Sequence, residues 1–97
     1  MPIYFVYIIE CEDNKGKKTY YTGFTKDIFK RFEQHQKGMG AKYTKGRKLK
    51  LVYFEKYFTY SESRKREIEI KELSVEEKKN LIINFEKKKN NKENNFG

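Results

Sequence analysis

Two tyrosines, an arginine, a histidine and a glutamate carry the types and spacing that could do chemistry in this 97-residue chain. Arg31 and His35 are four apart, so on a helix they share a face. A guanidinium matches phosphate oxygens with a planar fork and stays charged at any working pH, while an imidazole can pass a proton to or from a phenol near neutrality. Tyr7 and Tyr21 supply such phenols. Glu67 is a carboxylate among cations, and Mg²⁺ typically takes one or two protein carboxylates together with water and substrate phosphate. Each group also has a plainer use. Two facing tyrosines pack across strands, a histidine at the edge of an apolar stripe is usually hydrogen-bonded in place, and an arginine there is usually solvated. Glu67, three after Arg64 and four before Lys71, has the spacing of a pair of surface salt bridges. Patterning by itself leaves both readings open.

The elements that must position these groups follow from local signals. Residues 3 to 11 and 18 to 24 are rich in β-branched and aromatic types, with Asp13-Asn14-Lys15-Gly16 as turn chemistry between them, which predicts a β-hairpin. A register centred on Asn14 sets Tyr7 opposite Tyr21, with both phenols on one face. Thr25 is expected to cap a helix over about 26 to 36, with Asp27 in its first turn and Ile28, Phe29 and Phe32 as its apolar stripe. Gly38 and Gly40 then stop it. Leu49 to Phe58 reads as a third strand. Thr59-x-x-Glu62 opens a helix through about Glu72, and Ser74-x-x-Glu77 opens a last one with Leu81, Ile82 and Phe85 facing inward. The order is ββαβαα, an α/β (α+β) fold with a central three-stranded antiparallel sheet flanked by helices. Residues 1–86 form one domain, and 87–97 read as a polar, frayed or disordered tail.

Charge narrows the partner. Lys and Arg number 23 against 14 Asp and Glu, a formal net charge of +9, which favours polyanions and makes nucleic acid the expected partner. The stretch from Lys37 to Lys50 holds Lys37, Lys42, Lys45, Arg47, Lys48 and Lys50 with no acid, and Tyr43 among them, and reads as a basic loop. Candidate nucleic-acid contacts are Lys26, Lys42, Tyr43, Thr44, Lys45, Arg47, Lys48, Arg64 and Lys71. One cysteine, Cys11, cannot close an internal disulfide. The longest apolar run is far short of the roughly 20 residues of a membrane span, and the N-terminus lacks signal-peptide features. A cytoplasmic monomer with no membrane role is the expectation.

Several blocks together resemble the GIY-YIG nuclease family: Phe5-Val6-Tyr7-Ile8-Ile9, Tyr21-Thr22-Gly23, Asp27 through His35, Gly40 through Arg47, Leu51-Val52-Tyr53 and Arg66 through Ser74. They occur in the family's order and spacing, and they are similar to a small stand-alone bacterial subfamily. The first motif reads Val-Tyr-Ile where the family name has Gly-Ile-Tyr, the second Tyr-Thr-Gly where it has Tyr-Ile-Gly, and Phe24 follows where repair-type members often carry Lys. The resemblance implies a hydrolytic site of Tyr7, Tyr21, Arg31, His35 and Glu67, with one Mg²⁺ or Mn²⁺ on Glu67. It also implies cleavage of phosphodiester bonds, DNA before RNA, in repair or processing. In that scheme Tyr21 is the base, which requires its proton affinity to fall well below that of a free phenol. The alternative is a non-catalytic DNA- or RNA-binding module in which the basic loop grips phosphates and Tyr43 stacks a base.

Overall fold

The computed structural model describes residues 2–94. Three strands, β1 (Tyr4–Glu12), β2 (Lys18–Thr25) and β3 (Lys48–Tyr57), form an antiparallel sheet in the order β2-β1-β3. The helices are α1 (Ile28–Gln36), α2 (Tyr60–Glu72) and α3 (Val75–Asn94), with a 3₁₀ turn at Lys42–Thr44. The element order and the three-stranded sheet are those the sequence predicts.

Period-2 alternation along β1 divides the core into two layers. Val6 and Ile8 point to the side covered by α2 and α3, where they pack with Val52, Tyr53, Ile70 and Ile82. Tyr7, Ile9 and Cys11 point to the other side, where Ile28 of α1 completes a second cluster with Phe5, Tyr21, Phe32 and Phe54 around it. A bulge in β3 accommodates both layers: Ile8 pairs with Tyr53 but Ile9 with Leu51, so Val52 is an extra residue. Val52 and Tyr53 therefore both reach the α2 and α3 side.

The hairpin register differs from the expected one. Tyr7 lies opposite Gly23, and Tyr21 opposite Ile9. The cause is the turn: Gly16 takes the left-handed conformation at φ 81° and donates to Asp13 O, while Asp13 Oδ1 accepts from the amides of Lys15 and Lys17 at 2.9 Å each. This loop is centred on Lys15, not Asn14. Each partner moves by two residues, so the face is kept and the two phenols still share it.

Capping also differs at α1. Asp27 is the N-cap, its side chain accepting from the Lys30 amide, whereas Thr25 accepts from the Asp27 amide one step earlier. Of the expected stripe, Ile28 is buried and Phe32 packs on the core, but Phe29 is 82% exposed. Ile28 and Phe32, four apart, share the inward face, and Phe29, about 100° further round, points away from it. The other two caps are as predicted. Thr59 accepts from the Glu62 amide, and Ser74 and Glu77 exchange both bonds of a capping box. The expected tail is a correction as well: α3 runs to Asn94, past Lys87, since no Gly or Pro interrupts the chain after Val75 until Gly97. Residues 95–97 lie outside the described residues.

Candidate nucleic-acid-cleaving site

Tyr7 is placed by the centre of the sheet and is 2% exposed. Its ring lies over Gly23, where any Cβ would overlap the phenol, so the second-motif glycine exists to admit Tyr7. The Tyr7 hydroxyl meets His35 Nε2 at 3.0 Å. His35 reaches it from the last turn of α1 and is itself 1% exposed. Tyr21 packs against both, its ring 6.5 Å from that of Tyr7 and 5.2 Å from the imidazole. Tyr21 is half-buried, and its hydroxyl has no protein hydrogen-bond partner among the described residues.

The chain just beyond α1 closes this cluster from behind. Gly38, at φ 77°, ends the helix in a Schellman turn, with Gly38 and Met39 amides donating to the carbonyls of His35 and Gln34. The loop then folds back, so that Thr44 Oγ1 sits 2.9 Å from His35 Nδ1 and 2.9 Å from the Ala41 carbonyl oxygen. Gly40 makes this possible, because a Cβ there would overlap the imidazole. Its role is close approach to His35, not stopping the helix.

Electrostatics tie Arg31 and Glu67 to the same phenol. Burial pushes the Tyr7 hydroxyl up to about 12; the Arg31 guanidinium draws it down, and the Tyr21 and Glu67 side chains push it further up. Burial, helped by the Arg31 charge, holds His35 below its usual value, so the imidazole is neutral near pH 7. Arg31 is half-buried and braced by Gln34, whose Oε1 accepts from its Nη1 at 3.2 Å.

Glu67 comes from α2, the helix on the opposite side of the sheet from α1. It follows Ser63 and precedes Ile70 on the inward stripe of α2 and is 4% exposed, so the surface setting allowed by its spacing is not what the fold gives it. The two expected ion pairs nevertheless form, Arg64 Nη1 on Oε1 and Lys71 Nζ on Oε2 at 3.4 Å. Among the described residues no three of His, Cys, Asp and Glu gather as a ligand set. That fits only an ion that keeps most of its water and takes Glu67 as its one protein carboxylate. Arg64 and Lys71 must then give way, which their half-exposed side chains permit.

The basic residues divide. Lys26, Lys42, Lys45, Lys48, Arg64 and Lys71 are exposed, as a phosphate-contacting set requires. Thr44 is not: at 1% exposure its hydroxyl faces inward, so the expected nucleic-acid contact is corrected to an internal one. Tyr43 is 42% exposed, but its ring already has Tyr21 stacked at 6.3 Å and the Arg47 guanidinium over it at 4.5 Å. Arg47 is fixed in turn by Thr19 Oγ1 at 3.3 Å. Base stacking on Tyr43 would have to displace one of these neighbours. An open depression of about 370 Å³ lies between β3 and α2, lined by Glu55, Tyr57, Glu62, Lys65, Arg66 and Glu69; it shares no residue with the tyrosine cluster.

A three-stranded sheet that brings two phenols, an imidazole and a guanidinium to one side, with a buried carboxylate on the helix behind it whose charge acts on Tyr7, is the arrangement of a GIY-YIG domain. The chain belongs to that family: the model of the GIY-YIG catalytic domain matches residues 3–80. It is 48% identical over 83 residues to the UPF0213 proteins of Staphylococcus aureus strains Mu3 and COL, covering 84% of this chain and 96% of theirs. It is also similar to the UPF0213 protein BH0048 from Bacillus halodurans, known from a solution NMR structure, with 37% identity, 82% of each chain covered and a TM-score of 0.48. No helix among the described residues is long and apolar enough to cross a membrane.

Proposed function

We propose that this protein is an endonuclease that hydrolyses phosphodiester bonds in DNA, using one divalent ion at Glu67. The observation that carries the reading is the Tyr7 hydroxyl. It is hydrogen-bonded to a neutral His35, and the charges of Arg31 on α1 and Glu67 on α2 both act on it. A packing role alone gives no reason for a buried phenol to collect a base and a guanidinium.

The roles follow from the contacts. Arg31 lies where it can balance charge growing on phosphoryl oxygens. The Tyr21 hydroxyl, unpartnered among the described residues, is available to orient the attacking water. The bond from Tyr7 to His35 shifts the proton-accepting role from Tyr21, where the sequence puts it, to Tyr7. A phenol with a pKa near 12 is a poor phenolate. No phenolate need form, however, if Tyr7 passes its own proton to His35 as it receives one from water. Glu67 would hold Mg²⁺ or Mn²⁺, which supplies Lewis acidity at the phosphate. The exposed lysines of the loop hold the backbone without reading sequence.

The test is a panel of duplex, nicked, branched and single-stranded DNA and RNA, incubated with Mg²⁺ or Mn²⁺ and with EDTA. Cleavage that EDTA abolishes and that Tyr7→Phe lowers about 100-fold or more is expected. Binding without cutting on every substrate would make the protein a nucleic-acid-holding module instead.

A further inference from the structure

The contact chain does not end at His35. We infer that Thr44 is a positioning residue that fixes the tautomer of His35, protonated on Nδ1 and bare on Nε2, so that Tyr7 donates to the imidazole. The inference rests on the reading of Tyr7 and His35 as the proton-accepting pair, and extends it to a residue buried behind them.

Thr44 has one hydroxyl proton and two close neighbours, His35 Nδ1 and the Ala41 carbonyl oxygen, each at 2.9 Å. Two buried oxygens at 2.9 Å need a proton between them, and a carbonyl has none to give. The Thr44 proton therefore lies toward Ala41, and Nδ1 must donate to Thr44 Oγ1. A neutral imidazole has only one N–H, so Nε2 is bare and accepts from the Tyr7 hydroxyl at 3.0 Å.

The reverse tautomer fails at both ends. It would point Nε2–H at a Tyr7 oxygen whose other polar neighbour, the Arg31 guanidinium, can only donate. The buried Tyr7 proton would then have no acceptor among the described residues, and Thr44 Oγ1 would face the Ala41 oxygen with no proton between. One contact favours the reverse, the Ala41 amide at 3.5 Å from Nδ1. It lies at the outer limit of a hydrogen bond and is outweighed by the two at 2.9 Å.

Direction is what this provides. As water gives a proton to the Tyr7 oxygen, the Tyr7 O–H bond breaks and an Nε2–H bond forms. The net change is one proton moved from water to His35, and the resulting imidazolium keeps its Nδ1–H on Thr44 until it returns its proton to solvent. With Nε2 already protonated, the same transfer has nowhere to go.

His35 is the sole histidine of the chain, so its ring nitrogens can be read directly in the ¹⁵N-labelled full-length protein by long-range ¹H–¹⁵N correlation. Expected are a protonated Nδ1 and a bare Nε2 near neutral pH. Thr44→Val, which keeps the shape and removes the hydroxyl, should shift the population toward Nε2–H and lower kcat roughly 10–100-fold with KM little changed. Thr44→Ser should restore both. A wild-type ring protonated on Nε2, or a tautomer that does not respond to Thr44→Val, overturns the inference even if the protein cuts DNA. An Nδ1–H ring in a protein that cuts nothing would instead remove the nuclease reading and leave the tautomer assignment in place. Should Thr44→Val not fold, the wild-type and Thr44→Ser spectra still decide.

Discussion

Glu55 on β3 and Glu67 on α2 are both largely buried carboxylates, and both are paired with an arginine of α2, yet their surroundings differ in kind. Glu55, on β3, accepts from the hydroxyls of Tyr53 and Tyr57 on either side of it. Arg66 adds Nε to both carboxylate oxygens at 3.0 and 3.2 Å and Nη2 to Oε2 at 3.1 Å, while its Nη1 holds Glu69 at 3.2 Å. Among the described residues Glu67 has only Arg64 and Lys71, its own neighbours one turn away on α2. The first is a closed knot joining a strand to a helix. The second can be opened by two side-chain rotations. A phenol shows the same divide: Tyr57, raised to about 12 by burial and by Glu55, donates to a fixed charge, whereas Tyr7 donates to a neutral base that can keep the proton.

Substituting each carboxylate should therefore break different things. Glu67→Gln removes the proposed metal ligand, so cleavage should fall by about 100-fold or more, corresponding to several kcal/mol of transition-state stabilisation. Its unfolding midpoint in urea should stay close to wild type, because pairs with half-exposed cations contribute at most about 1 kcal/mol. Glu55→Gln should do the reverse. Leaving Arg66 short of a charged partner at this β3–α2 joint should cost about 2–3 kcal/mol in urea unfolding, with cleavage per folded molecule unchanged. If Glu55→Gln abolishes cutting in a fully folded protein, the two carboxylates do not divide into one that holds the fold and one that serves cleavage.

The acid limb of stability sharpens the same contrast. Burial opposes the Glu55 charge, but hydrogen bonds from Arg66, Tyr53 and Tyr57 outweigh it and hold the carboxyl below its usual value. The stability this gives is fully present above about pH 4.5, the unfolded value, and is lost as pH falls through the folded one. His35, also lowered, acts in a higher window: its contribution is present above about pH 6.5 and declines below it. Wild type and Glu55→Gln should thus lose stability in parallel from pH 7.5 to 5.5, and the gap between them should narrow only below about pH 4.5. A gap already closing at pH 6 would assign the acid sensitivity to another group.

Much of this division could be read in the residues and part could not. The order of elements, the two caps at Thr59 and Ser74, the shared face of Tyr7 and Tyr21 and that of Arg31 and His35 follow from periodicity and capping chemistry, which are local. The hairpin register does not, because it depends on whether Gly16 or Asn14-Lys15 forms the bend. Phe29 is misplaced because Ile28, Phe29 and Phe32 span a wide arc of the helix, and packing against the sheet decides which edge of that arc turns outward. Thr44, Gly40 and the Glu55 knot were invisible for a different reason. Their meaning lies in contacts between separate elements, and a threonine within a run of lysines has the signature of a surface residue. The one available sign was a second glycine two residues after the helix stop, which suggests close packing where a turn already has its glycine.

The smallest effect is the most direct test of whether Glu67 is open. Lys71 competes with any cation for Oε2, and its pair with Glu67 has the i,i+4 geometry worth about 0.3–0.5 kcal/mol. Lys71→Gln removes the competitor and leaves the carboxylate, so Mn²⁺ followed by electron paramagnetic resonance should bind about twofold more tightly. In Glu67→Gln the same substitution should change nothing, because the site it competes for is gone. Equal tightening in both backgrounds would mean that the lysine merely repels cations from the surface at large. Mn²⁺ would then be held elsewhere, and Glu67 would join Glu55 as a carboxylate that only holds the fold together.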